Sequence, residues 1–287
     1  MATSRMPEQA KGDDFLNASG LSEPSRIADW LVGWHQRGQH LLLLTDYDGT
    51  LSPIVDSPAD AWLPAGVRAS LEVLARSPRV HLAVVSGRDL ADLRSRVALP
   101  GAIYSGCHGL EIEGPGTKFV HPDAAAQQEA LAAISRRLSE RAHTVPGMLV
   151  ERKRFGLAVH YRRVAAEQIK RVEVELASAL PQDGSRLKIF HGSRVIEVQP
   201  QVSWTKGDCA LWIRDVVART VGTPLAVLYM GDDWTDEHAF EALGADAITV
   251  KIGEGAPPSR AAYRMADVAS VQRLLAELAV RTGGAAS

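Results

Sequence analysis

Two carboxylates, Asp46 and Asp48, follow a run of four leucines, Leu41 to Leu44, and precede Gly49 and Thr50. Residues two apart on an extended chain point the same way. Two carboxylates aimed at one point repel each other unless a proton or a cation lies between them. A hard divalent ion such as Mg²⁺, which prefers oxygen ligands, meets that need. A carboxylate held there is also a nucleophile, able to form an aspartyl-phosphate from a phosphoester. A strand closed by an Asp-Gly turn accounts for Asp48 and Gly49. It does not account for the whole string after an apolar run.

Three other junctions carry residues of the same kind. The apolar run Val80 to Val85 ends in Ser86-Gly87-Arg88, just before a helical pattern. A hydroxyl, free backbone amides and a helix start together suit a phosphate; Ser86 as a plain N-terminal cap explains the same residues. Ser203-Trp204-Thr205-Lys206-Gly207 leads into a helix with Lys206 at its start, where a cation opposes the helix dipole. Lys206 is then either a solvated lysine or a cation that neutralises phosphate and carboxylate charge. The run Leu225 to Met230 enters Gly231-Asp232-Asp233-Trp234-Thr235-Asp236-Glu237, four acids in six positions. One or two acids suffice to cap the next helix; four, beside an Asp-x-Asp strand end, point to a cation.

These segments need a scaffold that brings strand ends to one place. Four consecutive leucines predict a strand buried on both faces, the kind a parallel sheet uses. In an open α/β sheet, ligands sit beyond the carboxyl ends of the strands. Further strands are predicted at 80–85, 102–105, 225–230 and 247–252. Helices are predicted at 25–37, from 64 to near 77, at 89–97, from 206 to 218, up to 243 and at 270–281. The turn-rich stretch 52–60 reads as a short flap. From 112 to 200 the pattern changes to amphipathic helices (127–141, 165–180) and partly alternating strands (148–151, 155–163, 187–190, 195–198). The expected fold is therefore α/β: a Rossmann-like parallel-sheet core, residues 25–111 and 201–287, with an inserted α+β cap over 112–200 and a mobile tail at 1–24.

Composition narrows the classes. At 287 residues, 46% hydrophobic and 23% charged, the chain reads as a soluble globular protein of one large or two modest domains. A net charge of −2 recruits neither nucleic acid nor a membrane surface. No window approaches the about 18 apolar residues of a span, and no signal peptide is expected. Cys107 and Cys209 lack metal-site spacing and read as reduced thiols, so a cytoplasmic location is expected. The stretch 112–200 carries 14 Lys and Arg against 10 Asp and Glu, an excess of positive charge that leaves the remainder acidic. An anionic substrate drawn to a basic cap fits this, as does a plain solvated basic face.

Taken together, Asp46-x-Asp48-Gly49-Thr50, Ser86, Lys206 and Gly231-Asp232-Asp233-x-x-Asp236 resemble the four motifs of the haloacid dehalogenase superfamily of phosphotransferases. The insertion falls where that superfamily carries its C2 caps. The finer match is to the trehalose-6-phosphate phosphatase family. It rests on Asp46 through Ile54, Ser86-Gly87-Arg88, His108-Gly109, Trp204-Thr205-Lys206-Gly207 and Gly231 through Glu237. In the cap, Glu151-x-Lys153, His160-Tyr161-Arg162 and Glu197-Val198-x-Pro200 are similar too. The family's lysine four residues before the last cap glutamate is absent: Ser193 stands there, with Arg194 beside it as a substitute.

The resemblance implies a Mg²⁺-dependent hydrolysis of a sugar phosphate. Asp46 would attack phosphorus, and Asp48 would protonate the leaving oxygen and then activate water. Mg²⁺ would be held by Asp46, the backbone carbonyl of Asp48 and Asp232, with Asp233 and Asp236 as outer supports. Ser86 and Lys206 would hold the phosphoryl oxygens, and Thr50 would orient Asp48. Thr50, Gly87, Arg88 and His108 in the core, and Glu151, Lys153, Arg162, Arg194 and Glu197 in the cap, would complete substrate binding. The residues by themselves read Glu151-Arg152-Lys153-Arg154 as a solvated charge run. The expected substrate is trehalose 6-phosphate, delivered by a separate synthase to a monomer. Alternatives are another sugar phosphate such as sucrose 6-phosphate, a sugar phosphomutase, and a catalytically silent sensor.

Overall fold

The structure, a computed structural model, describes residues 21–180, 186–192, 194–255 and 258–283. The tail expected at 1–24 lies mostly outside these, as does Ser193. Its last residues belong to the fold: the Ser22 amide donates to the Arg264 carbonyl at 2.7 Å, and the first helix, α1, is Pro24–Gln36.

The leucine run forms β1, His40–Thr45, buried from Leu41 onward. It pairs in parallel with β2, Val80–Val85, on one side and with β10, Leu225–Gly231, on the other. Hydrophobic side chains on both faces make this pairing stable, because each face is covered by helices. The remaining strands of this sheet are β3 (Ile103–Gly106), β4 (Glu111–Gly114), β5 (Thr117–Val120), β11 (Ile248–Ile252) and β12 (Tyr263–Met265). The sheet order is β12-β11-β10-β1-β2-β3-β4-β5, parallel from β12 to β3 and antiparallel from β3 to β4. The chain leaves β1 toward β2 and returns at β10, so a topological switch lies between β1 and β10. Ligands bind at such a point, beyond the strand ends.

Three helices gather on one face: α1, α2 (Ala65–Arg76) and α9 (Val268–Gly283), with Ile27, Leu31, Val67, Leu71, Leu274 and Leu278 packed against Leu41 and Leu43. On β1, Leu42 and Leu44 alternate to the opposite face. Helix α7, Lys206–Val221, packs against β1, β2 and β10 and is paired with α8, Glu237–Leu243. Helix α3, Leu90–Val97, follows β2.

Two compact units divide the chain: the described residues up to Lys118 and from Trp204 onward, and Phe119–Ser203. The division differs from the expected 112–200 at its start, because Glu111–Val120 forms a hairpin on the first sheet. Gly114-Pro115-Gly116 makes its turn, with Gly116 at a φ of +64°, a conformation glycine adopts at little cost. The second unit holds an antiparallel sheet of β6 (Leu149–Lys153), β7 (Gly156–His160), β8 (Leu187–Gly192) and β9 (Val195–Pro200), in the order β6-β7-β9-β8. Its helices are α4 (Pro122–Ala126), α5 (Gln128–Arg141) and α6 (Ile169–Ala179). Leu157, Val159, Ile196 and Val198 pack against Leu131, Ile134, Leu138, Val172 and Leu176. Alternation therefore turns Glu151, Lys153, Ala158, His160, Glu197 and Gln199 to the other face of this sheet.

Among the described residues no helix is long and apolar enough to cross a membrane. Both cysteines are free and buried.

Candidate active site

The site is built at the carboxyl ends of β1, β2 and β10 and at the start of α7. Asp46 continues the β1 ladder, its amide donating to the Met230 carbonyl at 2.8 Å, and is 5% exposed. Lys206 is 3% exposed and donates to Asp46 Oδ1 at 2.7 Å and to Asp236 Oδ1 at 2.8 Å. A capping box explains how a lysine can start α7: the Thr205 hydroxyl accepts from the Gly207 and Asp208 amides, and Asp208 accepts from the Thr205 amide. Burial works to lower the Lys206 pKa, but the charges of Asp236 and Asp46 outweigh it and hold the ammonium firmly protonated.

Asp236 is fully buried and accepts three hydrogen bonds. Besides Lys206 it accepts from the Tyr229 hydroxyl at 2.8 Å and, through Oδ2, from the Asp233 amide at 3.0 Å. Asp232 stands over Gly49, which has a φ of +79°; a Cβ there would run into the Asp232 carboxylate. Only glycine allows the loop after β1 and Asp232 to approach this closely. Lys251, 6% exposed near the end of β11, donates to the Asp232 carbonyl at 2.6 Å and the Asp233 carbonyl at 3.2 Å, fixing that loop from behind.

Among the described residues, Asp46, Asp232 and Asp236 bring carboxylate oxygens within 4.8 Å of one another. Burial, then the charge of Asp236, pushes the Asp232 pKa up to about 7. Burial raises Asp46 well above the carboxylate range against the pull of Lys206. Three clustered carboxylates face one ammonium, so the site is short of positive charge. A hard divalent cation with oxygen ligands fits this donor set. Asp233 does not join the cluster: it is exposed, and its Oδ1 caps the following turn by accepting from the Trp234 amide at 2.7 Å.

Asp48 departs from the expected arrangement in its partner. Its carboxylate is gripped by Arg88, Nε to Oδ2 and Nη2 to Oδ1, both at 2.7 Å. Arg88, expected to bind substrate, is thus occupied by Asp48. Thr50, expected to orient Asp48, is fully buried and its hydroxyl makes no hydrogen bond among the described residues. Ser86 is buried, its hydroxyl accepting from the Arg88 amide at 3.2 Å and its carbonyl from the His108 amide at 2.9 Å. His108 lies against Gly87, where a Cβ would come within 2.6 Å of its ring.

Within the second unit, the open sheet face gathers Glu151, Lys153 and Glu197 into hydrogen-bonded pairs. Lys153 donates to Glu197 Oε1 at 2.6 Å, Gln199 donates to Glu197 Oε2 at 2.8 Å, and His160 Nε2 lies 2.7 Å from Glu151 Oε2. Ala158 sits between Glu151 and Glu197 in the strand register, leaving the centre of the face low. Arg162 is exposed two residues beyond β7, and Arg194 is exposed where β8 leads into β9, with a φ of +64°.

Four polar residues escaped the sequence reading. Lys251 had a signal, a lysine inside an otherwise apolar strand, and Gln199 had one, two residues after Glu197 on the same face. Asp92, which holds Arg88 from behind at 2.8 Å, had one too, an acid four residues from Arg88 and from Arg96 at helical spacing, whereas Tyr229 sits in an apolar strand and had none.

A family model described as trehalose-phosphatase matches residues 44–269. The trehalose-phosphate phosphatase of Mycobacterium bovis (strain BCG / Pasteur 1173P2) is 39% identical over 240 residues, which is 83% of this chain and 58% of that protein. The trehalose-phosphate phosphatase of Mycobacterium avium (strain 104) is 43% identical over 207 residues, 72% of this chain and 52% of that protein. The chain thus spans a little over half the length of these curated relatives. Among solved structures, the C-terminal domain of trehalose-6-phosphate phosphatase from C. albicans matches with a TM-score of 0.68 at 26% identity, covering 88% of this chain and 96% of that one.

Proposed function

The chain belongs to the trehalose-phosphatase family, and on that premise we propose that it is a Mg²⁺-dependent phosphoric monoester hydrolase. Its substrate is trehalose 6-phosphate and its products are trehalose and phosphate, the last step of trehalose biosynthesis. The observation that carries this reading is the buried carboxylate of Asp46 at the end of the central strand, 2.7 Å from a buried lysine and clustered with Asp232 and Asp236.

Asp46 attacks the phosphorus atom as the phosphorus–oxygen bond to the sugar breaks. Asp48, entering this step as the neutral acid, gives its proton to the departing sugar oxygen and becomes the carboxylate. It then takes a proton from the water that hydrolyses the aspartyl-phosphate, restoring Asp46. Lys206 and Ser86 hold the phosphoryl oxygens, and Asp236 keeps the Lys206 ammonium aimed at Asp46. Fixed charges of this kind supply most of the catalysis in phosphoryl transfer. Asp46, the Asp48 carbonyl and Asp232 would hold Mg²⁺, which would supply the positive charge the site is short of. The open face with Glu151, Lys153 and Glu197 reads the sugar.

The test is phosphate release from trehalose 6-phosphate with Mg²⁺, beside glucose 6-phosphate and sucrose 6-phosphate, with a chelator control. A strong preference for the trehalose ester, lost with chelator and in Asp46→Asn, is expected. Equal release from several sugar phosphates would discard the substrate, and full activity in Asp46→Asn would discard the nucleophile.

A further inference from the structure

Arg88 ends the turn after β2 and is 6% exposed. Its guanidinium has five N–H donors. Two go to Asp48, Nη1 gives one to Asp92 Oδ2 at 2.8 Å, and Nη2 gives one to the Pro58 carbonyl at 2.9 Å. The planar group also lies over the Tyr47 ring, 5.3 Å from its centre. Four donors are thereby engaged by the protein, which leaves too few for a two-point grip on a phosphate. The anchoring continues behind it. Arg96 donates to Asp92 at 2.8 Å and to the carbonyls of Ala59 and Ala61 at 3.2 and 2.9 Å, and the Tyr47 hydroxyl donates to the same Ala61 carbonyl at 2.9 Å. The carboxylate in front of this stack, Asp48, keeps 41% of its side chain exposed.

We propose that Arg88 is a positioning residue for the reaction: its fork fixes the Asp48 carboxylate in the orientation from which it serves the leaving oxygen and the attacking water, and the Asp92–Arg96 ladder fixes the fork. An aspartate on a free Cα–Cβ bond samples several rotamers, whereas two parallel hydrogen bonds to a planar donor allow one. A displacement of about 1 Å in such a group costs roughly 10²-fold in rate. Arg88 therefore acts on the turnover of bound substrate, with little part in holding it.

The inference rests on reading Asp48 as the group that serves leaving oxygen and water, and the test separates the two. Arg88→Lys keeps the charge and removes the fork. It is assayed on trehalose 6-phosphate, whose leaving oxygen needs a proton, and on p-nitrophenyl phosphate, whose leaving group departs as a stable anion. General acid catalysis contributes roughly 10²–10⁴-fold, so kcat on the sugar ester should fall about 10²-fold with KM changed less than about threefold. The pre-steady-state burst of p-nitrophenolate should fall less than about fivefold. Asp92→Asn, which leaves the fork in place but loosens it, should show the same asymmetry at about tenfold. Equal losses on both substrates, or a KM rise on both with kcat retained, would overturn the inference. Asp48→Asn in the wild-type background turning over the sugar ester normally would overturn the underlying reading instead.

Discussion

Replacing Asp236 with alanine isolates the charge network behind the nucleophile. The carboxylate is fully buried and accepts three hydrogen bonds, from Lys206, Tyr229 and the Asp233 amide. Removing one partner of a buried ion pair costs about 3–5 kcal/mol. The phenol of Tyr229 and the amide of Asp233 lose their acceptor as well, at about 1–3 kcal/mol for each group left unpaired. Two effects offset this: Lys206 retains Asp46, and the mutual repulsion among three carboxylates is relieved. The lower ends of these ranges sum to about 5 kcal/mol, and the two offsets bring the net loss to about 4 kcal/mol. At roughly 2–4 °C per kcal/mol for a chain of this size, Tm falls by about 10 °C. Thermal denaturation read by circular dichroism measures it, in chelator so that metal affinity does not enter. The neighbouring Asp233→Ala supplies the comparison, because that carboxylate is exposed and only caps a turn, a contribution of about 1 kcal/mol. Asp233→Ala costing as much as Asp236→Ala, or Asp236→Ala within about 1 kcal/mol of wild type, would refute the account of the network.

Three further outcomes follow from the geometry. Saturating Mg²⁺ should raise Tm, by about 2.7 kcal/mol of stability at a hundredfold excess over Kd, and Asp232→Asn should abolish most of that gain; an equal gain in the variant would remove Asp232 from the metal site. Glu151→Ala should lower kcat/KM for the sugar ester by about 10–100-fold, the loss of a hydrogen bond to a charged group, while a small aryl phosphate loses less than about twofold; parallel losses would contradict a sugar-reading role. At the far end of the sheet, His40 Nδ1 and His81 Nε2 lie 2.9 Å apart, and burial holds both pKa values below the usual 6.5, with Arg79 and His35 adding to it at His40 and His40 adding to it at His81. The unfolded chain then binds protons that the folded one resists, so stability is intact above about pH 6.5 and declines below it. His81→Gln should flatten that decline in a Tm-against-pH series, and an unchanged slope would clear the pair of the effect.

The legibility of the site in the sequence depends on which forces place each residue. Asp46, Ser86, Lys206 and Asp232 stand at the ends of apolar runs or helix starts, so local pattern and the parallel-sheet rule suffice to bring them together. Asp233 and Asp236 look alike in sequence and differ only in direction: one turns outward to cap, the other inward to Lys206. That difference depends on Gly231, where a Cβ would collide with the Asp236 side chain, and on Tyr229 reaching over from β10. The pairing of Arg88 left no local trace for a related reason, since its partners Asp48 and Pro58 are 40 and 30 residues away. The hairpin at 111–120 and the three-residue β12 were missed because short edge strands carry too little periodicity to register. In the second unit the strand register, not the partial alternation of the sequence, puts Glu151, Lys153 and Glu197 on one face with His160 and Gln199.

The two sets of residues differ in how they are held, and this separates the consequences of changing them. Asp46, Lys206 and Asp236 are almost wholly withdrawn from water, so losing Lys206 strands two buried carboxylates and losing Asp236 strands its other donors, and activity and stability fall together there. Lys153 and Glu197 lie on an open sheet face at 9% and 20% side-chain exposure, and Glu151 and His160 at 28% and 21%. Water reaches Glu151, His160 and Glu197 more readily than the core acids, so a loss there costs less stability, while the buried Lys153 behaves more like the core pairs. Arg88 stands between these cases, buried itself but holding a carboxylate that remains open to solvent. A scan that plots loss of turnover against loss of Tm should therefore place the core acids and Lys206 on a diagonal, and the sheet-face residues Glu151, His160 and Glu197 along the activity axis. Arg88→Lys should fall between them, and a position on the diagonal would mean that the fork serves the fold and not the reaction.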